Sequence, residues 1–244
     1  MGWLALLYGG CCYGLFLVVF LVLVVFVGDL GGARSVSSGP AVCWAEALAR
    51  DLTVLLVFGL QHSLMARQAF KRAWTRRVSP ALERSTYVLV SCLALALLFW
   101  AWRPLPARIW EVTAPVARGG LWVMFGAGWI LALASTFQLN HGALFGLSQV
   151  WHHFRGRPNP EVAFQTPGLY RLVRHPLMLG FLVAFWATPS MDAGHLLFAT
   201  VMTLYILVGT HFEERDLKRS LGPAYEAYRH RVPGLLPLPR PRRP

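Results

Sequence analysis

Long apolar runs alternate with polar loops along the whole chain. The first run, at residues 3–27, is almost unbroken Leu, Val and Phe, and three later runs approach the roughly 20 residues that a transmembrane helix needs. These runs predict membrane-spanning helices at residues 3–27, 47–65, 85–102 and 121–139. Two further apolar segments, at residues 177–189 and 195–212, flank a turn and predict a helical hairpin whose first arm is short for a crossing.

The predicted fold is therefore all-α, a polytopic membrane protein with about six helical segments. These include the C-terminal hairpin and a cytoplasmic C-terminal helix. We expect residues 1–140 to form a four-span transmembrane region and residues 141–233 to form a core with the hairpin and a C-terminal cap. The Pro- and Arg-rich residues 234–244 predict a disordered tail.

The charge pattern supports a membrane topology rather than a nucleic-acid partner. The net charge is +12, although charged residues make up only 14% of the chain. Eighteen of the 23 lysines and arginines lie after the second span, after the fourth span or in the tail. Because cytoplasmic loops collect these residues, we expect both termini and the polar stretch at residues 166–176 to face the cytoplasm in a multi-pass membrane protein. No basic recognition module accompanies the charge, so membrane lipid is an expected partner and nucleic acid is not.

Cysteine usage indicates neither a disulfide framework nor a metal site. The four cysteines include the adjacent pair Cys11 and Cys12 in an apolar run, and no C-x-x-C occurs. The first apolar run is too long for a typical signal peptide and lacks a basic start, so it predicts a retained span.

The most distinctive polar stretch is residues 166–176, which end in Arg174-His175-Pro176. Proline is tolerated in the first turn of a helix, and the amides that follow it carry a partial positive charge. With Arg171 and Arg174 beside it, this helix start suits a carboxylate or a phosphate. The alternative is an ordinary start to a re-entering helix with arginines that extend toward water.

An acidic pair, Glu213-Glu214, follows the last apolar run, where the helix dipole does not favour acid. One interpretation is a carboxylate that binds a ribose, an amine or a cation; the other is a solvated pair with Arg215 and Lys218. The histidine-bearing start and the acidic end of the hairpin are expected to form two walls of one site. Beyond the Gly222-Pro223 break, Tyr225 and Tyr228 share a helical face, which either folds back as a lid or lies on anionic lipid.

Two histidines near the ends of predicted spans are candidates for chemistry, because ionisable groups at membrane depth are costly. His62 lies beside Gln61 and Ser63 near the end of the second span, and it is alternatively an interfacial histidine bonded to a neighbouring helix. His141 follows Asn140 at the end of the fourth span, where a helix cap is the other interpretation.

An ordered series of short motifs extends from residue 165 to residue 233. It comprises Gly168-Leu169-Tyr170, Arg174-His175-Pro176, a hydrophobic hairpin, Glu213-Glu214, Gly222, Tyr225, Tyr228 and Arg231-Val232-Pro233. This series resembles the isoprenylcysteine carboxyl methyltransferase superfamily. Upstream segments are similar to its bacterial methanethiol S-methyltransferase branch, with nurim as a more distant relative. These segments are Gln61-His62-Ser63-Leu64-Met65-Ala66-Arg67, Glu83-Arg84-Ser85-Thr86-Tyr87, Ser135-Thr136-Phe137, Phe145-Gly146-Leu147, Gln149-Val150 and Phe185-Trp186-Ala187-Thr188-Pro189.

The resemblance implies a methyltransferase core that holds S-adenosylmethionine between the Arg-His-Pro motif and the C-terminal helix. The implied cofactor-binding residues are Gln165, Tyr170, His175, Pro176, Leu177, Met178, Glu213 and Glu214. Met178 departs from the superfamily pattern, which commonly has tyrosine there, so a thioether replaces a hydroxyl.

The resemblance further implies a small thiol as the methyl acceptor, with methanethiol converted to dimethyl sulfide. A thiol reacts as its thiolate, so a base or a positive charge near it is needed. His62 is the preferred base or positioning group, and His141 and Arg174 are the other catalytic candidates. Alternative functions are methylation of an isoprenylcysteine carboxylate or a lipid, and a nurim-like structural role without activity. The presence of both Arg-His-Pro and Glu-Glu argues against the structural role.

Overall fold

The computed structural model describes residues 2–32, 34–160 and 164–237. Within those ranges the chain is mostly helical, which confirms the predicted all-α class. The ten α-helices of the described residues are α1 (Gly2–Gly28), α2 (Trp44–Ala66), α3 (Gln68–Trp74), α4 (Pro80–Ala101), α5 (Pro115–Leu139), α6 (His141–Leu144), α7 (Leu147–Phe154), α8 (Pro176–Trp186), α9 (Ala193–Leu221) and α10 (Pro223–Arg231). A 3₁₀ turn covers Gly168–Arg171, and two short strands, β1 (Arg108–Glu111) and β2 (Ser190–Asp192), form a small sheet.

Four helices in the described ranges, α1, α4, α5 and α9, are long and apolar enough to cross a membrane. The protein is therefore a membrane protein, as predicted. Two of the six expected crossings, at residues 47–65 and 177–189, are not among these four helices. Helix α2 is 23 residues long and carries charged residues near its start, and α8 has only 11 residues. The α2 carboxylate of Asp51 is fully buried and accepts a hydrogen bond from the Arg103 amide at 2.9 Å.

Helix ends follow local sequence signals. The Ser79 hydroxyl caps α4 by accepting the Ala81 amide, with Pro80 in the first turn. Asn140 has a positive φ of 111° and accepts the Ala143 amide at 3.0 Å, so it caps α6. The predicted break after the last long helix is confirmed, because α9 ends before Gly222, whose φ is 56°.

Contacts divide the chain into two units that interleave along the sequence. The first unit comprises Met1–Ile109, Asn140–Val162 and Met191–Phe198. In this unit α1 and α2 pack against α4, and α7 packs against α1. Gly9 of α1 permits the close approach of α7, because a Cβ there would lie 2.6 Å from a Val150 methyl group.

The second unit comprises Trp110–Leu139, Ala163–Ser190 and Ala199–Pro244. Its main contact is between α5 and α8, where Gly128 faces Gly180. A Cβ on Gly128 would lie 2.7 Å from the Gly180 carbonyl oxygen, and one on Gly180 would lie 2.5 Å from the Ala132 amide nitrogen. Two backbones approach this closely only where small residues line the contact.

The sequence predicted a turn at residues 189–194, and the structure instead has strand β2 there. Val112 donates its amide to Pro189 at 2.7 Å, and the Trp110 indole donates to the Thr188 carbonyl at 3.2 Å. Strands of three and four residues are too short to show a period of two, so the pattern carried no signal for them.

We predict that Gly180→Ala destabilises the protein, because its methyl group has no space against the α5 backbone. Overpacking of this kind costs about 1–3 kcal/mol, which corresponds to about 2–4 °C in melting temperature for each kcal/mol. Gly126→Ala on α5 is the matched control, because nothing lies within 4 Å of a Cβ there. Thermal unfolding of the detergent-solubilised protein measures both. Equal melting temperatures for the two variants would contradict the packing argument.

Candidate active site

The 3₁₀ turn that precedes the Arg-His-Pro motif is fixed against α5. Gly168 begins the turn with a φ of 44°, a left-handed conformation that favours glycine. The Gln138 carboxamide oxygen, at the end of α5, accepts the Leu169 amide at 2.8 Å. A Cβ on Gly168 would lie 2.6 Å from that same oxygen. One polar side chain on α5 therefore sets the position of the turn, and glycine is required beside it.

Helix α10 folds back onto this turn. This agrees with the first of the two interpretations of its tyrosine face and not with a position on anionic lipid. The Tyr228 hydroxyl donates to the Tyr170 carbonyl at 2.6 Å, and Tyr170 is itself buried. Phe164 packs edge-on against Tyr225 and Tyr228, with ring centroids 6.1 and 5.6 Å away. Burial raises the pKa of Tyr228 to about 12, so its phenol stays protonated and donates.

The Arg174 side chain is buried and bonded to other groups of the protein, so it is not an open anion-binding group. Its side chain is 4% exposed, and its Nε donates to Glu214 Oε1 at 2.8 Å, with a second bond from Nη2 to the same oxygen. The remaining Nη1 donates to the Val232 carbonyl at 2.5 Å and to the Arg229 carbonyl at 3.3 Å. The guanidinium therefore joins α9, α10 and the start of the C-terminal segment.

The backbone of the motif is paired with the C-terminal segment as well. The Arg174 amide donates to the Pro233 and Gly234 carbonyls at 2.9 and 3.0 Å, and the His175 amide donates to Gly234 at 3.2 Å. Gly234 belongs to the predicted disordered tail, yet it is held by the motif. The tail's last residues, 238–244, lie outside the described residues.

His175 lies between the two adjacent glutamates of α9. Its Nε2 is 3.1 Å from Glu214 Oε1, and its Nδ1 is 3.6 Å from Glu213 Oε2. The side chains of His175 and Glu214 are 6% and 20% exposed, whereas that of Glu213 is 51% exposed. The two carboxylates thus differ in role: Glu214 holds the motif, and Glu213 faces outward beside the imidazole.

The start of α8 adds backbone donors to this arrangement. Pro176 is buried in the first turn, and no side chain in the described ranges hydrogen-bonds to cap the helix. The amides of Leu177 and Met178 lie in the first turn, where they have no partner within the helix. Their side chains are half-buried and apolar. A carboxylate, an imidazole, amide donors and apolar surface therefore meet in one place.

The structure brings together most of the predicted site residues within the second unit. The residues in mutual contact or adjacent along the chain are Arg174, His175, Pro176, Leu177, Met178, Glu213 and Glu214, and Tyr170 lies in the 3₁₀ turn that precedes them. Gln165 is exposed on the segment that leads to the 3₁₀ turn.

The two predicted catalytic histidines lie in the first unit. Both ring nitrogens of His62 contact hydroxyl groups, Nε2 that of Tyr87 at 2.7 Å and Nδ1 that of Ser91 at 3.1 Å. His141 Nε2 lies 2.8 Å from the Tyr13 hydroxyl, and burial lowers the pKa of His141. Each histidine is thus held by hydroxyl groups from neighbouring helices.

Sequence reasoning missed three contributors to the site. Gln138 is a polar residue at the end of a predicted span, a signal that could have marked it as a candidate. Its partner, the Leu169 amide, is 31 residues away along the chain, so the sequence did not show the contact. Arg174 pairs with Glu214, which is 40 residues away along the chain. The sequence had offered only the nearby Arg215 and Lys218 as ionic partners of the two glutamates. The carbonyls of Val232 and Gly234 carry no side-chain signal at all.

The chain matches one family model and several related proteins. A family model described as NnrU protein matches residues 52–232. A methanethiol S-methyltransferase from Mycobacterium tuberculosis is 53% identical over 97% of each chain. Methanethiol S-methyltransferase 1 from Bradyrhizobium diazoefficiens is 49% identical over 97% of this chain and 83% of its own. Nurim from Homo sapiens is 35% identical over 70% of this chain and 68% of its own. No solved structure matches the chain.

We predict that Glu214→Gln destabilises the protein by about 3–5 kcal/mol, because it leaves the buried Arg174 charge without its partner. Glu226→Gln is the matched control. Glu226 pairs with Lys218 at 2.6 Å, but both side chains are about half exposed, so solvent screens the pair and it contributes little to stability. Thermal unfolding in detergent compares the variants. If the two substitutions lower the melting temperature equally, Arg174 does not depend on Glu214.

Proposed function

We propose that the chain, which belongs to the NnrU protein family, is an integral-membrane methyltransferase that transfers a methyl group from S-adenosylmethionine to a small thiol. The curated relatives that support this proposal carry the name methanethiol S-methyltransferase at 53% and 49% identity. Methanethiol is therefore the proposed acceptor and dimethyl sulfide the proposed product. The observation that carries the proposal is the convergence of Glu213, His175 and the start of α8.

The residues at this place fit the cofactor by their chemistry. S-adenosylmethionine combines a sulfonium cation, an amino acid end and an adenosine. The half-exposed Glu213 carboxylate suits the ammonium group or a ribose hydroxyl, and the amides at the start of α8 suit the carboxylate. Leu177 and Met178 offer apolar surface to the adenosine. Gln165 and Tyr170 complete the proposed shell on the segment before the motif.

When bound, the cofactor would supply a methyl group to a sulfur nucleophile in line with the breaking bond to its sulfonium sulfur, and S-adenosylhomocysteine would leave. The contribution of the chain is to hold the reactants aligned, which is a large source of rate in such reactions. Arg174 is proposed to act as a positioning residue, since it fixes Glu214 and the C-terminal segment around His175.

His62 remains the proposed base or positioning group for the thiol, and His141 the second candidate. Each ring is oriented by hydroxyl groups of its own unit, from Tyr87 and Ser91 for His62 and from Tyr13 for His141. Because both ring nitrogens of His62 contact hydroxyl groups, one of these contacts has to be exchanged before the ring accepts a proton from the thiol.

We also propose that the Arg-His-Pro motif and both termini face the cytoplasm of a bacterial cell. This orientation rests on the placement of 18 of the 23 lysines and arginines on one side of the predicted spans. It places the proposed site on the side where a soluble cofactor is available.

We predict that membranes containing the protein convert methanethiol and methyl-labelled S-adenosylmethionine to labelled dimethyl sulfide. Gas chromatography of the headspace measures the product, with membranes that lack the protein as the control. Labelled product only with a prenylcysteine or a lipid would reassign the acceptor and retain the methyl transfer. Absence of product with every acceptor, despite cofactor binding, would refute the proposed activity.

We predict that Glu213→Gln weakens cofactor binding at least about tenfold, because a neutral amide does not balance a cation as a carboxylate does. His62→Ala serves as the comparison, since we expect it to lower turnover with nearly unchanged cofactor affinity. Isothermal titration of the purified protein with S-adenosylmethionine gives both affinities. An unchanged affinity in Glu213→Gln would remove Glu213 from the cofactor shell, and a loss in His62→Ala would place His62 in it.

A further inference from the structure

A cavity of about 540 Å³ lies in the first unit, at the end where α1 and α4 begin and α7 ends. Its lining residues are Leu4, Ala5, Tyr8, Ser79, Leu82 and His153. Its volume is within the range of about 300–1,000 Å³ that ligand pockets occupy. None of these residues belongs to the proposed cofactor shell, so the cavity needs a separate explanation.

The lining has an apolar interior with polar groups at one side. Leu4, Ala5 and Leu82 are aliphatic, and the Tyr8 hydroxyl is 3.0 Å from Thr86 Oγ1, so Tyr8 presents mainly its ring. Leu4 is 72% exposed, so the cavity is continuous with the outer surface of α1. Ser79 and His153 are the polar members, and both are exposed. Such a lining suits an amphiphile with an alkyl chain and a polar head.

Aromatic residues place this end of the unit at the level of lipid head groups. Trp3 begins α1 and is 6.0 Å from Phe154, and Trp151 lies 6.0 Å from the same ring. All three are substantially exposed. Exposed tryptophans at the end of an apolar helix mark the membrane interface. A phospholipid is therefore the amphiphile present at this depth.

The positive charges near the cavity favour an anionic lipid head group. Arg76 and Arg77 are exposed and lie within three residues of Ser79. Arg155 lies two residues after His153, with its guanidinium 4.7 Å from the Trp151 ring. Residues 67–84 contain six lysines and arginines against one carboxylate, Glu83. Basic residues close to a membrane surface attract anionic lipids.

We propose that this cavity is a binding site for an anionic phospholipid, with an acyl chain against Leu4 and Leu82 and the phosphate among Ser79, His153 and the adjacent arginines. The start of α4 favours the same charge, because the N-terminal end of a helix carries a partial positive charge. The site would tie the basic loop before α4 to the membrane surface.

Native mass spectrometry of the full-length protein in detergent tests this proposal. The probes are dioleoylphosphatidylglycerol, dioleoylphosphatidylcholine and inorganic phosphate, each added at the same concentrations. We expect one tightly retained phosphatidylglycerol. In Arg76→Gln/Arg77→Gln its affinity should fall about thirtyfold, since each arginine near an anionic surface contributes a factor of about five to six. The matched control is Arg108→Gln/Arg118→Gln, which removes two exposed arginines elsewhere.

A second variant, Leu82→Trp, fills the cavity without changing the charge, and Leu97→Trp on an exposed position of the same helix is its control. Loss of the retained lipid in Leu82→Trp and in the double arginine variant, but in neither control, supports the site. Equal retention of phosphatidylcholine would overturn the anionic assignment. Binding of phosphate alone with the same affinity would show an anion site without a lipid. Unchanged binding in both test variants would place any bound lipid elsewhere.

Discussion

The ion pair between Arg174 and Glu214 holds the candidate site together. A guanidinium with 4% of its side chain exposed has lost most of its hydration, and that loss is tolerable only because a carboxylate and two carbonyls replace the water. These partners come from α9, α10 and the segment after it. The motif at the start of α8 therefore has its shape only when the C-terminal part of the chain is in place.

The same ion pair gives the adjacent residues Glu213 and Glu214 different roles. Because Glu214 is occupied by Arg174 and His175, it acts as a structural acceptor, and the neighbouring Glu213 keeps a half-exposed carboxylate. One turn of helix thus offers a fixed acid and an available acid on either side of an imidazole. A half-exposed carboxylate beside the first-turn amides of α8 is a combination that suits a zwitterionic ligand with an additional positive charge.

The rest of the second unit keeps this arrangement in position by close backbone packing. Gly128 and Gly180 let α5 and α8 approach until no side chain separates them, and Gln138 at the end of α5 then reaches the turn before the motif. Tyr228 closes the other side by donating to the Tyr170 carbonyl. In a membrane, where apolar side chains gain little by leaving lipid, such close packing and hydrogen bonds provide the stability that burial provides in water.

The sequence by itself determined the helices and the short motifs. Apolar length predicts α1, α4, α5 and α9, and the Gly222-Pro223 break predicts the end of α9, because both depend on residues that are near each other along the chain. The Arg-His-Pro and Glu-Glu motifs were recognisable for the same reason. Only the tertiary structure decided that Arg174 bonds to Glu214 rather than to an outside anion, that Gln138 supports the turn, and that Gly234 is held. These contacts join residues separated by 31 to about 60 positions, so they depend on how the helices pack, which local pattern does not encode.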